Sequence, residues 1–329
     1  GGDTRLAVEA TDGRLVDLTS IDEDVTEVAD LALAASLSGL DIDRIARNML
    51  DLYPPDTYEL ARVLDDSRQA TGELWLDRPL EPPEVWAAGV TYKSSEMERR
   101  RESSTPDIYS KIYSAQRPEL FLKATSDRCV GPFEPVGIRG DSDWNVPEPE
   151  LAFVIYKGKI IGYTAGNDMS SRSIEGENPL YLSQAKVFDR CCSIGPCFVT
   201  ALSFEDPHSL KIRCSINRDG QEVFYGEAST SQMTRSCDDL AYWLQRHNSV
   251  LNMTTVLTGT AIVPPPDEPR QVPGMPRRAW QPFPKLFGGQ SQQPLVGLIG
   301  HLVNGPPQQI PVGLLESGPE VLAVFCVDH

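Results

Sequence analysis

The sequence predicts a mostly β protein of the α+β class, with a small α/β unit ahead of a larger β-rich one. Three observations carry this. Two apolar, β-branched runs, 151–156 and 160–165, flank Lys157-Gly158-Lys159, which is a hairpin signal. A second pair, 210–217 and 222–225, flanks Arg218-Asp219-Gly220 in the same way. Ahead of both, residues 1–80 mix short alternating strands with helical periodicity. Pro-rich residues 79–83 then separate them from residues 81–329.

The first hairpin also brings charge together. With the turn centred on Gly158, Glu148 lies opposite Asp168 and Glu150 opposite Gly166. Side chains alternate along a strand, so Glu148, Glu150 and Asp168 share one face. Leu151, Phe153, Ile155, Ile161 and Tyr163 share the other, a core face. Like charges directly opposite one another destabilise a sheet. A hard divalent cation removes that repulsion: Mg²⁺, with Mn²⁺ or Ca²⁺ as alternatives, takes oxygen ligands and leaves positions for substrate. Gly166 opposite Glu150 leaves room for an ion or ligand to approach the backbone. Spacing alone also allows a solvated acidic hairpin, and a one-residue slip would scatter the three carboxylates.

The remaining elements follow in order. Residues 5–9 and 14–18 alternate as strands around Asp12-Gly13, and 31–38 and 42–52 read as helices, the second capped by Asp41. Residues 85–90 form a buried-type strand. The charged stretch 94–104 is either a solvated helix or a lid over a site. Lys123 lies inside the apolar run 120–124, where it either snorkels or meets an acid. Arg172 suits a carboxylate ligand or pairs with Glu175 or Glu177. Residues 176–183 read as an irregular loop, 234–246 as an amphipathic core helix and 256–260 as a strand.

The chain has 329 residues, with 30 basic against 47 acidic and a net charge of −17. Such a surface repels phosphate backbones and anionic bilayers, which argues against nucleic-acid and membrane partners. No apolar run approaches a membrane span of ~20 residues. Seven cysteines without a CxxC or Cys/His ligand spacing read as reduced thiols of a cytoplasmic protein. After about residue 270 the strand alternation gives way to Pro, Gly and Gln, so 276–329 is not expected to supply closing strands.

The stretches EPELAFVI, GYTAGNDMSSR, QAKVFDRCCSIGP and LTGT resemble the fumarylacetoacetate hydrolase family, over about 85–264 and in the family's order. GVTYKSS, RPELFLKAT and GENPLYLSQAKVFD are similar to its sugar-acid branch, the 2-keto-3-deoxyarabinonate dehydratase-like proteins. The resemblance implies a rolled mixed β-sheet with flanking short helices, a homodimer, and Mg²⁺ on Glu148, Glu150 and Asp168. It implies a 2-oxo acid substrate oriented by Lys123, Arg172, Thr260 and Ser95. Lys186, with its pKa lowered, is the expected proton shuttle, and Glu98 on the lid the expected acid for a departing hydroxyl. The family's hydrolases carry Gly-x-Asn-Tyr-x-x-His-x-x-Glu; the matching positions here are Gly89, Thr91, Tyr92, Ser95 and Glu98. Ser95 in place of the His favours dehydration of a 2-keto-3-deoxy sugar acid over C–C hydrolysis of an acylpyruvate. An inactive metal-binding scaffold is the non-enzymatic alternative.

Overall fold

The polypeptide is built around the first hairpin. The structure, a computed structural model, describes all residues except 1–3, 11, 53, 70–73, 103–106, 204–205, 219–220, 266–279, 284–297, 305–320 and 329. The N-terminal part contains strands β1 (Thr4–Glu9), β2 (Arg14–Asp17), β3 (Thr57–Glu59) and β4 (Leu74–Leu76). With them are helices α1 (Val28–Ser38), α2 (Ile42–Leu50) and α3 (Leu60–Gln69). Asp41 caps α2 as expected, accepting from the Arg44 N–H. Then follow β5 (Glu84–Gly89), helices α4 (Lys93–Glu102) and α5 (Asp107–Ser114), β6 (Glu119–Thr125), β7 (Cys129–Val130) and β8 (Asn145–Val146). The central hairpin is β9 (Pro149–Tyr156) and β10 (Lys159–Asp168). After it come β11 (Ser170–Ser171), α6 (Arg172–Glu177), α7 (Leu182–Lys186), β12 (Cys192–Thr200), β13 (Lys211–Arg218), β14 (Gln221–Ser229), α8 (Cys237–Gln245) and β15 (Thr254–Leu257).

The sequence left α3 and α5 unassigned, and the expected loop 176–183 is largely helical. The second hairpin, β13 with β14, pairs as expected; its Asp219-Gly220 turn lies outside the described residues.

The expectation for the tail is corrected where the chain is described. β16 (Trp280–Phe283), β17 (Leu298–Asn304) and β18 (Val321–Asp328) all pair. β17 lies between β1 and β12, and β18 joins β13 to β16. The exposed backbone edges of β1, β12 and β13 supply the reason: an open strand edge recruits any chain able to extend beside it. The rest of 276–329 lies outside the described residues.

Among the described residues, twelve strands form one mixed sheet. Ten run in the order β3-β2-β1-β17-β12-β10-β9-β15-β5-β6, with β4 on β17 and β7 on β12. All eight residues of β9 are buried, because each face of the strand meets a core. On one side Leu151, Phe153 and Ile155 pack with Tyr163, Ile212, Leu240 and Leu244. On the other, Ala152 and Val154 pack with Leu6, Val8, Leu31 and Val85, so residues before and after 80 share one hydrophobic cluster. Phe153 is fully buried. Phe153→Ala is expected to cost about 3–5 kcal/mol, read from the midpoint shift in urea unfolding at constant slope.

Ile161 departs from expectation. The ladder pairs Ile160 with Ile155 but Gly162 with Val154, so Ile161 is an extra residue in a bulge. It packs into the cluster behind the sheet, and Ile160 takes the place expected for it.

Candidate functional site

The bulge decides where the carboxylates fall. The turn residues Lys157 and Gly158 both have positive φ, at 47° and 77°, so the tight turn is centred between them and not on Gly158. The extra residue at 161 restores the offset further down. At the far end Gly166 lies opposite Glu150 and Asn167 opposite Pro149. The Asp168 N–H donates to the Glu148 carbonyl at 2.9 Å. Carboxylate oxygens of Glu148, Glu150 and Asp168 all lie within 4.8 Å of one another. The three residues are 1%, 2% and 1% exposed. The solvated hairpin is therefore excluded.

Cations converge on two of the three. Lys186, at the end of α7, donates to Glu148 Oε2 at 2.6 Å, Asp168 Oδ2 at 2.9 Å and Ser170 Oγ at 2.5 Å. Lys123 donates to the Met169 carbonyl at 2.7 Å and to the Lys186 carbonyl, and pairs with Asp168 Oδ1 at 2.7 Å. Arg172, at the start of α6, pairs with Glu148 Oε1 at 2.6 Å. Burial alone would raise the Glu148 pKa, but Lys186, Arg172 and Arg99 hold it well below the usual carboxylate range.

Glu150 behaves oppositely. Its Oε2 accepts the Gly259 N–H at 2.6 Å, presented by a backbone with φ 93° that favours glycine. Burial, then the charges of Asp168 and Glu148, push its pKa well above the usual range. A divalent cation is the species that lets all three carboxylates ionise together, so this donor set fits a hard metal ion.

One expectation about the site is corrected and another is opposed. The carboxylates around Lys186 work against the expected lowering of its pKa. Burial does oppose its charge, but Asp168 and Glu148 outweigh that and raise the pKa above the ordinary lysine value. The space above Gly166 does not receive a ligand: a Cβ there would meet Leu257 Cδ2 at 2.2 Å.

The other expected residues divide. Arg172, Lys123 and Lys186 join the carboxylates. Ser95 is buried on the inner side of α4, one turn from Arg99. Glu98 does not reach the cluster; its half-exposed carboxylate pairs with Arg101 at 3.0 Å, because helical spacing turns it away from the side that Ser95 and Arg99 share. Thr260 lies beside Gly259, but its hydroxyl closes a local turn, donating to the Ile262 carbonyl and accepting its N–H, both at 3.1 Å.

Sequence reasoning missed Glu119. It lies on β6, two residues before Phe121, and so on the same face; a bulge at Lys123 breaks the alternation beyond that point. The Phe121 ring centroid is 5.6 Å from Lys186 Nζ. Glu119 Oε2 is buried with no hydrogen-bond partner among the described residues, and the carboxyl fills the space above Gly89. Burial raises its pKa; Arg99 opposes the rise and Glu175 adds to it. A buried carboxyl of raised pKa, acted on by the charges of Lys186 and Glu148, is a proton-transfer candidate. The alternation of Glu119 with Phe121 was the available signal.

The chain is also similar to known proteins. Over 266 residues the chain is 50% identical to the "Probable 2-keto-3-deoxyxylonate dehydratase" of Haloferax volcanii, covering 80% of this chain and 87% of that one. It is 44% identical over 204 residues to the 2-dehydro-3-deoxy-D-arabinonate dehydratase of Saccharolobus solfataricus, covering 60% and 67%. Its fold is similar to the apo form of 2-keto-3-deoxy-D-arabinonate dehydratase, with a TM-score of 0.66, 33% identity and coverage of 80% and 89%. The same similarity holds for that enzyme complexed with magnesium and 2,5-dioxopentanoate. Residues 84–273 match the fumarylacetoacetate (FAA) hydrolase C-terminal family, and the chain belongs to it.

Proposed function

We propose that this protein is a Mg²⁺-dependent hydro-lyase that dehydrates a 2-keto-3-deoxypentonate to 2,5-dioxopentanoate, which is 2-oxoglutarate semialdehyde. The observation that carries the reading is the buried Glu148, Glu150 and Asp168 cluster, with a second buried carboxyl of raised pKa, Glu119, within reach of its charges. The xylonate and arabinonate in the relatives' names differ at C2 and C3, the two centres that the keto and deoxy positions erase. For one configuration at C4 they describe one compound.

Glu148, Glu150 and Asp168 would hold the ion. When bound, Mg²⁺ supplies a Lewis acid for the substrate carboxylate and keto oxygens, offsetting the substrate's charge in a protein of net charge −17. The protein's own groups do the rest. Ionised Glu119 takes a C3 proton, and the electron pair of that bond moves towards the C2 oxygen. Its return forms the C3–C4 double bond and expels the C4 hydroxyl, which leaves as water with one proton. A C5 proton then moves to C3, giving the C4–C5 enol, and the proton of the C5 hydroxyl moves to C4, which yields the aldehyde. Lys186 and Lys123 keep Asp168 fixed, Lys186 and Arg172 keep Glu148 ionised, and Arg172 adds positive charge where the substrate carboxylate enters. Lys186 thus acts through charge and placement, and the proton shuttle passes to Glu119.

Lys186→Ala is expected to reduce kcat by on the order of 10². Mg²⁺ affinity measured separately by calorimetry shows how much of that loss comes from the freed Glu148 and Asp168. Cys129, Cys191, Cys192, Cys197, Cys214 and Cys237 are free and buried, which suits the reducing cytoplasm, and we take the working unit to be a homodimer. No helix among the described residues is long and apolar enough to cross a membrane.

The deciding experiment is a panel of 2-oxo acids incubated with Mg²⁺ and followed by NMR. Formation of 2,5-dioxopentanoate from 2-keto-3-deoxy-D-arabinonate supports the reading. Release of pyruvate from an acylpyruvate, with the sugar acid untouched, replaces it with hydrolysis.

A further inference from the structure

We propose that Arg99 is the positioning residue that seats helix α4 over the site, docking the lid through an ion pair and not through apolar packing. The proposal rests on the dehydratase reading only for what the lid encloses.

Docked helices ordinarily bury an apolar stripe. The described residues of α4 bury no apolar side chain: its buried residues are Ser95, Glu96 and Arg99, and its one methionine, Met97, is 53% exposed. Three consecutive arginines occupy its last turn, yet they part company. Arg100 and Arg101 side chains are 48% and 76% exposed and pair within the helix with Glu96 and Glu98. The Arg99 side chain is 6% exposed and reaches partners outside the helix. Its Nη1 pairs with Glu175 Oε1 on α6, and its Nη2 lies 3.9 Å from Glu148 Oε1. Glu175 in turn lies 4.0 Å from Arg172 Nε, so α4, α6 and the carboxylate cluster share one charge network. The charge of the same guanidinium also acts on Glu119.

A guanidinium can serve several carboxylates because its donors form a planar fork. Breaking such a buried pair is costly, since it strands the remaining charge, whereas the intact pair adds little net stability. A helix held this way docks when its counter-charges are in place and is otherwise marginal, as a closing lid requires. The expected His of the family's hydrolases is Ser95 here, and Arg99 lies one turn further along the same inner side. The cation that the lid brings to the site is therefore Arg99.

The test is hydrogen exchange by mass spectrometry on the full chain with Mg²⁺, comparing the wild type with R99A and E175Q. The expected result is that amides of residues 93–101 exchange at least about tenfold faster in both variants, while those of β9 keep their wild-type protection. Unchanged protection of 93–101 in both variants overturns the proposal. Should R99A lose protection throughout, E175Q decides, because it weakens the same pair from the α6 side: selective loss at 93–101 supports the latch and its absence overturns it. In parallel, KM for 2-keto-3-deoxy-D-arabinonate should rise in R99A by about tenfold or more, with R99K recovering part of the loss. A wild-type protein that turns over no sugar acid, with 93–101 still selectively deprotected in R99A, removes the dehydratase reading and leaves the latch standing. Wild-type KM and kcat in R99A overturn the latch and leave that reading standing.

Discussion

Glu150→Gln is expected to lower Mg²⁺-dependent turnover by on the order of 10³ while leaving the fold intact. The amide oxygen of glutamine can still accept the Gly259 N–H that Glu150 Oε2 accepts at 2.6 Å, so the local backbone loses no partner. What disappears is one of three carboxylates whose oxygens lie within 4.8 Å of one another. A hard divalent ion gains much of its affinity from ligand charge, so the variant should bind Mg²⁺ far more weakly in calorimetry. Unfolding in urea should retain its wild-type slope and cooperativity. Full wild-type activity in excess chelator would sink the metal assignment.

Glu119→Gln is expected to remove about 10³ of kcat and to leave Mg²⁺ affinity nearly unchanged. The glutamine keeps the size of the side chain above Gly89 but cannot take a proton. The pH profile gives an independent check. Burial raises the Glu119 pKa above that of an ordinary carboxylate, and only its ionised form can act as the base. Activity should therefore fall as pH drops through a value above the usual glutamate pKa of about 4.3. The charged groups acting on it most strongly are Arg99, Glu175, Lys186 and Glu148. An unaltered acid limb in the residual activity of Glu119→Gln would assign the proton transfer elsewhere.

The two residues were unequally legible beforehand. Glu148, Glu150 and Asp168 could be read from period-two alternation about one hairpin, because strand geometry converts sequence spacing directly into a shared face. The register was right at the site for a reason no spacing revealed: a turn centred half a residue early and a bulge at Ile161 compensate each other. Glu119 and Arg99 lay in recognisable stretches but carried no pairing signal. Each reaches the site across a different element, and Glu98 looked equally suited until the helix turned it outwards.

The sequence by itself determined the mostly β class, the two hairpins, the capped second helix, the acidic triad and the family. These are local periodicities and contiguous motifs, which survive without knowledge of the chain's path. Only the tertiary structure decided which charges are paired and therefore what each can do. Lys186 is paired with carboxylates 18 and 38 residues away, which oppose the lowered pKa expected of it. Glu119 has its pKa raised by burial, which no sequence window reports. The tail's strands depend on open edges of β1, β12 and β13, far off in sequence. Burial and electrostatics are set by neighbours in space, and both dominate the chemistry of a closed site.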